Sequence, residues 1–423
     1  MLLTRRRLFG ALALLVATGL LAWWARDQVR ERHDAASAAF LQQHWAHPVA
    51  AQGAPPQRFT PLEASLAPQA CGTCHVSQFA DWKTSLHSRT VGPGLAWQLR
   101  TFAQSEGNSC LRCHAPLAEQ RALVAVERGW PNAPATPPPA YVPADLHQQG
   151  LVCAACHVRQ HQRQGPVPRE GRPQPHPDLP HGGYTIQPAF SDSRFCSTCH
   201  QFEADGRRVN GKLLQDTYEE WRASPAAAAG QTCQTCHMPE RRHLWRGIHD
   251  PETLARALRR ELTVERIDAA RIRVSVRLTN SGAGHHLPTY VVPKIQVAVL
   301  LRGEQPSGNR RLATHVIGRM VDTDLANEAA DTRLAAGASH SMSIETAAGP
   351  GRWVIALRTE VAPAEHYERM FAQMEANHPE FDDLTRQLLR EALQSAMAAR
   401  YRLAETVIEV PATVGARQSV VAN

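Results

Sequence analysis

The ten cysteines of this 423-residue chain fall into five pairs of one spacing: Cys71/Cys74, Cys110/Cys113, Cys153/Cys156, Cys196/Cys199 and Cys233/Cys236. Each pair is followed at once by a histidine, His75, His114, His157, His200 and His237. Cys-x-x-Cys-His is the attachment signature of c-type haem, in which both thiols add to the porphyrin vinyl groups and the adjacent histidine reaches the iron. A zinc ribbon does not require a histidine after every pair, and a disulfide framework has no reason to repeat one spacing. No cysteine is left over, so the expectation is five covalently attached c-type haems.

Bis-histidine ligation of five irons needs five further histidines, and a total of 21 means that position must discriminate among them. A repeated box singles out the first. Phe79-Ala-Asp-Trp-Lys-Thr-Ser85 and Tyr218-Glu-Glu-Trp-Arg-Ala-Ser224 share the order aromatic, any, acid, Trp, base, any, Ser. In the first copy Phe79, Trp82 and Leu86 lie on one helical stripe, suited to pressing on a porphyrin face. Two residues after the serine the first copy has His87 and the second Ala226, so His87 is not part of the box. It is read as the distal ligand of a haem other than the one on His75. His285, in the glycine- and proline-bounded loop TNSGAGHHLPT, is read as a ligand that docks a second region onto the haems, with His286 behind it. His249, His147 and His181 complete the set; His161 and His243 are reserves. For His87 and His285 the competing reading is an ordinary surface or loop histidine.

Those residues need elements to hold them. The motifs recur about every forty residues between 62 and 255, in sequence poor in apolar periodicity and rich in Pro and Gly, as in WPNAPATPPPAYVP. Such segments cannot bury enough side chain to fold alone, so the porphyrins are expected to form the core, wrapped by short helices and loops. From residue 256 the pattern changes. Ile272, Val274, Val276 and Leu278 alternate with polar residues, as do Ile295, Val297, Val299 and Leu301. Ser339 to Glu345, Trp353 to Thr359 and Thr406 to Val410 are further strand candidates, with a helical excursion over Pro379 to Leu403. The fold class expected is a mainly α and irregular multihaem region followed by a β-sandwich-like domain, 256–415, with inserted helices and a tail at 416–423. His315 and His340 lie in or near its strands and read as ordinary.

At the other end, Arg5 to Arg7 precede an uncharged apolar run from Leu8 to Trp24 with no A-x-A cleavage site after it. This predicts an uncleaved N-terminal anchor in residues 1–30, a linker at 31–61, and a protein on the periplasmic side of the bacterial inner membrane. A cleaved signal and a soluble periplasmic protein are the alternative. The net charge of +7 would ordinarily prompt a search for nucleic acid. Haem propionates offset that charge, so no nucleic-acid partner is expected; Arg89, Arg112 and Arg194 are natural propionate partners.

The chain resembles the multihaem c-type cytochromes related to hydroxylamine oxidoreductase and to the tetrahaem cytochrome of ammonia oxidisers. The residues carrying the likeness are Cys71 to His87 with Trp82 and Ser85, FCSTCHQF (195–202), TYEEWRAS (217–224), CQTCHMP (233–239), HLWRGIHD (243–250) and NSGAGHHLPT (280–289). The resemblance implies stacked haem pairs, mostly bis-histidine irons, periplasmic electron transfer, and His87, His249 and His285 as distal ligands. No tyrosine can be matched to the one that cross-links the active haem of hydroxylamine oxidoreductase. All five motifs end in histidine, whereas ammonia-forming nitrite reductases mark the active haem with lysine. The expectation is a membrane-tethered electron carrier between redox protein partners. The alternative is an oxidoreductase acting on a small nitrogen or sulfur compound at a five-coordinate haem.

Overall fold

The computed structural model describes Trp24, residues 27–28 and 31–32, and residues 34–423 apart from Arg172 and Pro173. The expected membrane anchor has to be corrected. Among the described residues no helix is long and apolar enough to cross a membrane, and the run from Leu8 lies, but for Trp24, outside them. Part of the expected linker is helical, at 34–44, and packs Leu41 and Trp45 against Ala189 and Phe195 beside the fourth motif.

Short helices carry the motifs. Four of the five end on the motif histidine: Gln104–His114, Cys153–His157, Arg194–His200 and Cys233–His237. One helical turn places the two cysteines of each pair on the same face, with the histidine next in line. The first motif begins in Pro68–Gly72 and the chain turns helical again in α1, Val76–Thr84. α2, Pro93–Thr101, and α3, Thr217–Arg222, complete the elements that matter for the site. Apolar cores here are small and separate, one around Leu66, Leu117 and Leu146 and another around Leu99, Leu111 and Trp130.

Residues 258–422 form two larger antiparallel sheets face to face, with a two-stranded ribbon of Arg319–Val321 and Glu328–Asp331 beside them. The first has β1 (Leu258–Arg266), β2 (Arg271–Asn280), β5 (Ser339–Ala347) and β9 (Arg417–Ala422) in the order β5-β2-β1-β9. The second has β3 (Lys294–Gly303), β4 (Arg310–Ile317), β6 (Trp353–Ala362), β7 (Tyr401–Arg402) and β8 (Thr406–Glu409), with β6 paired to β3, β7 and β8 and β4 on the far side of β3. The alternating residues meet between the sheets as one core, including Ile272, Val274, Val276 and Leu278 from β2 and Ile295, Val297, Val299 and Leu301 from β3. Residues 416–423, expected as a tail, supply β9, which pairs with β1 from Arg417 opposite Glu265 to Ala422 opposite Arg260.

Two helices, α4 (Glu365–Asn377) and α5 (Asp383–Ala398), interrupt the second sheet between β6 and β7. They lie over α2 of the motif-bearing region: Trp97 meets Phe371 edge-on at 6.0 Å, and Arg100 bonds Asp382 and Thr385.

Candidate functional site

Four of the five motif histidines face a second histidine at nearly one distance. The ring centres of His75 and His181 are 6.4 Å apart, those of His157 and His243 6.2 Å, His200 and His87 6.2 Å, and His237 and His285 6.3 Å. A metal–imidazole bond of about 2.0 Å and a ring radius of roughly 1.2 Å put the ring centres of a bis-imidazole iron about 6.3 Å apart. The donor set therefore fits a haem iron between each pair. Among the described residues no group of three or more His, Cys, Asp or Glu gathers as a metal site of its own. Histidines arranged in twos suit a metal whose in-plane donors come from a porphyrin.

The backbone presets the tautomer these rings need. Nδ1–H donates to a carbonyl oxygen in His114 (Thr90, 2.7 Å), His157 (Gln164, 2.9 Å), His181 (Gly183, 2.9 Å), His237 (Arg246, 2.7 Å), His243 (Arg241, 3.0 Å) and His285 (His286, 2.8 Å). A histidine so held keeps its Nε2 lone pair for a metal. Burial, helped by the neighbouring imidazoles, also keeps the rings neutral. It lowers the pKa of His87 to about 3 and those of His157 and His200 to about 4, and depresses that of His285. Neutral imidazole is the form that ligates.

No two of the ten cysteines are joined in a disulfide. Thiols of different motifs lie near one another. Cys71 neighbours Cys153, Cys113 neighbours Cys199, and Cys196 neighbours Cys233. This proximity places the first motif beside the third, the second beside the fourth, and the fourth beside the fifth.

The expected attachment cysteines differ in exposure. Cys74 and Cys236 are exposed, whereas the other eight are half-buried. Each is the second cysteine of its motif and stands where its helix gives out. Cys74 lies beyond the end of Pro68–Gly72, and Cys236 is the last residue but one of Cys233–His237, its sulfur 4.0 Å from the Thr235 hydroxyl. A thioether requires only that the sulfur meet the porphyrin edge, and an edge can face solvent, so the exposed positions remain compatible with attachment.

Several expected ligands stand elsewhere. His147 is buried with Nε2 on the Glu127 carboxylate at 2.6 Å, so that nitrogen is taken. His249 is exposed and its charged neighbour is Arg89; among the described residues neither it nor His114 belongs to a ring pair of the 6.3 Å kind. His161 gives Nε2 to the Gly53 carbonyl. His315 and His340 stack face to face at 3.7 Å between the sheets, too close for an iron. His243 takes the place opposite His157. Its signal in the sequence was slight, since it lies beyond the last motif and is brought back by an ion pair from Arg242 to Asp81. Of the arginines expected at propionates, Arg194 is held by Asp192 and Asp34, and Arg112 by Glu203.

His285 reaches the fifth motif from the loop between β2 and β3. Gly284 makes that approach possible, because a Cβ there would meet Ala226 Cβ at 2.8 Å and Trp221 at 3.5 Å. Glu220 of α3, its side chain 5% exposed, fastens the loop through His286 Nδ1 at 2.6 Å, Arg333 at 2.8 Å and the Thr289 hydroxyl.

The structure can be compared with known proteins at this point. It superposes on the crystal structure of a penta-haem cytochrome c552 from Thermochromatium tepidum with a TM-score of 0.56, over 82% of this chain and 100% of that one, at 19% sequence identity. The two share a fold. No family model matches the chain, and no curated protein matches it by sequence.

Proposed function

We propose that the chain is a c-type cytochrome carrying five haems, one on each Cys-x-x-Cys-His, and that it passes electrons between redox protein partners. The supporting observation is the common spacing of 6.2–6.4 Å between a motif histidine and a second histidine in four places. A bis-histidine haem supplies one-electron chemistry with no free coordination position, which suits a carrier. His181, His243, His87 and His285 are the distal ligands in this reading, for the haems on His75, His157, His200 and His237. The proximity of thiols from different motifs supports an order for the haems. Haem one neighbours three, four neighbours both two and five, and Cys156 of the third motif lies within electrostatic range of Cys196 of the fourth. Electrons could thus run one-three-four-five, with the second haem a branch at the fourth. The two exposed attachment cysteines, Cys74 and Cys236, belong to the first and fifth motifs, the two ends of that route, where partners would exchange electrons. Kinship with the hydroxylamine-oxidoreductase-like cytochromes rests on the shared boxes and is part of this proposal, as is the absence of a nucleic-acid partner.

One observation favours the second reading. Among the described residues His114 belongs to no histidine pair of the 6.3 Å kind, so its haem is the one at which a small nitrogen or sulfur ligand would find the distal position open. Intact mass and low-temperature EPR of the oxidised holo-protein test both readings. A mass gain short of five haems, or several high-spin irons, overturns the carrier assignment. Four low-spin irons and one high-spin iron that responds to nitrite, hydroxylamine or cyanide assign the branch haem to substrate.

A further inference from the structure

The two copies of the repeated box make the same three contacts with unrelated parts of the chain. In each, the tryptophan Nε1–H donates to the carbonyl two residues ahead of a Cys-x-x-Cys-His motif. Trp82 donates to Leu151 at 2.8 Å, ahead of Cys153, and Trp221 to Gln231 at 3.0 Å, ahead of Cys233. In each, the acid accepts a backbone N–H at the histidine that faces that same motif. Asp81 accepts from His243 N at 3.0 Å, and His243 faces His157. Glu220 accepts from His286 N at 3.2 Å, one residue from His285, which faces His237. In each, an arginine closes the carboxylate: Arg242 on Asp81 through two bonds of 2.7 Å, and Arg333 on Glu220 at 2.8 Å.

Chance packing does not explain the match. The tryptophan reaches 69 residues along the chain in the first copy and 10 in the second, and the acid reaches 162 and 66. What the copies share is where the contacts end, at the two axial sides of one haem. The first box follows the first motif in sequence, yet both its polar contacts go to the third.

We infer that each box is a clamp that sets the axial geometry of one haem, Asp81 and Trp82 for the haem on His157, and Glu220 and Trp221 for the haem on His237. The tryptophan fixes the approach to the proximal motif. The carboxylate fixes the backbone bearing the distal histidine. A hydrogen bond to a buried carboxylate is about twice as strong as a neutral one. Groups that orient a metal ligand from behind typically change metal affinity about 10- to 100-fold when removed. Both acids are positioning residues, because neither faces the iron. The position after the serine fits the same account: Ala226 leaves room for Gly284 of the incoming loop, whereas His87 in the first copy goes to a different motif, that of His200.

The inference rests on the axial pairs proposed above, so its test separates the two. Asp81→Asn and Glu220→Gln are made in the full haem-loaded protein and compared by EPR, redox titration and displacement of the distal ligand by cyanide. His243→Ala and His285→Ala identify which low-spin signal belongs to which iron. The expected result is that D81N changes the signal and potential only of the haem marked by H243A. Cyanide should enter there at concentrations about 10- to 100-fold lower than in the native protein, and E220Q should do the same at the haem marked by H285A. Unchanged cyanide displacement at the marked haem, or a change at the haem on His75, overturns the clamp while the axial pairs stand. If H243A and H285A produce no high-spin iron, the pairs fail and the clamp fails with them. Should D81N not accumulate haem-loaded protein, Trp82→Phe removes only the N–H donor, with the same expected signature at the same haem.

Discussion

His87 and His200 face each other with ring centres 6.2 Å apart, and the buried Nδ1 of His87 has no hydrogen-bond partner in the protein. A buried polar nitrogen without a partner is costly unless the other face of the ring gains something in return. Trp245, edge-on at 4.5 Å, fixes the ring but accepts no hydrogen bond. Replacing His87 by Gly should convert one of the five irons to high spin, and added imidazole should restore the low-spin signal. An EPR spectrum unchanged by the substitution would remove His87 from the ligand set.

The five Cys-x-x-Cys-His motifs were legible because they are local: two cysteines and a histidine within five residues need no tertiary information. Which of those cysteines face solvent was not legible, since Cys74 and Cys236 share their spacing with the eight that are half-buried. The strands β2 and β3 were legible because both bury every second residue. β4 and β9 were not. Their stretches Arg310-Arg311-Leu312-Ala313-Thr314 and Arg417-Gln418-Ser419 are largely exposed and carry no buried alternation. α4 was missed because its buried face consists of His366, Glu368 and Phe371, two of them polar. The partner of His157 was the least legible part of the site. His243 is brought there by an ion pair between residues 161 positions apart, which no periodicity in the sequence records.

A buried ion pair on the sheet-bearing side of the junction holds the arginine that bonds across it, and should be costly to break. Arg319 and Glu328, with side chains 0% and 1% exposed, meet at 2.7 Å, and Arg319 also donates to the carbonyls of Leu213 and Val209 across the junction. Glu328→Gln leaves the guanidinium buried without its countercharge. The expected loss is about 3–5 kcal/mol in denaturant unfolding, as for other half-broken buried pairs. Arg319→Met combined with Glu328→Gln should cost less than Glu328→Gln alone, because no unpaired charge remains.

Acid should destabilise the protein partly through His366. Burial, then Arg369 and Lys294, lowers its pKa from 6.5 to about 4. The unfolded chain binds a proton near pH 6.5 and the native one only near pH 4, so stability falls as the pH drops through that window. His366→Leu removes the proton site. Relative to the native protein, the variant should therefore gain about 1–2 kcal/mol between pH 7 and pH 4.5, read from unfolding midpoints at the two values. A constant difference across the window would show that the ring titrates normally.

At the candidate site, Gly284 lies where the loop from the sheet-bearing half passes close over Ala226. A Cβ on residue 284 would meet Ala226 Cβ at 2.8 Å, a distance that real side chains do not tolerate. The loop must then retreat, taking His285 from its place 6.3 Å from His237. Gly284→Ala should accordingly cost about 1–3 kcal/mol and loosen the distal ligand of the fifth haem, seen as easier displacement by cyanide. If the collision with Ala226 is the cause, Gly284→Ala with Ala226→Gly should recover most of both effects, since the double change removes the methyl that the new one strikes. Recovery of stability without recovery of the ligand would place the loop's contribution in packing alone; recovery of both ties the spectrum of the haem to a single methyl-sized gap.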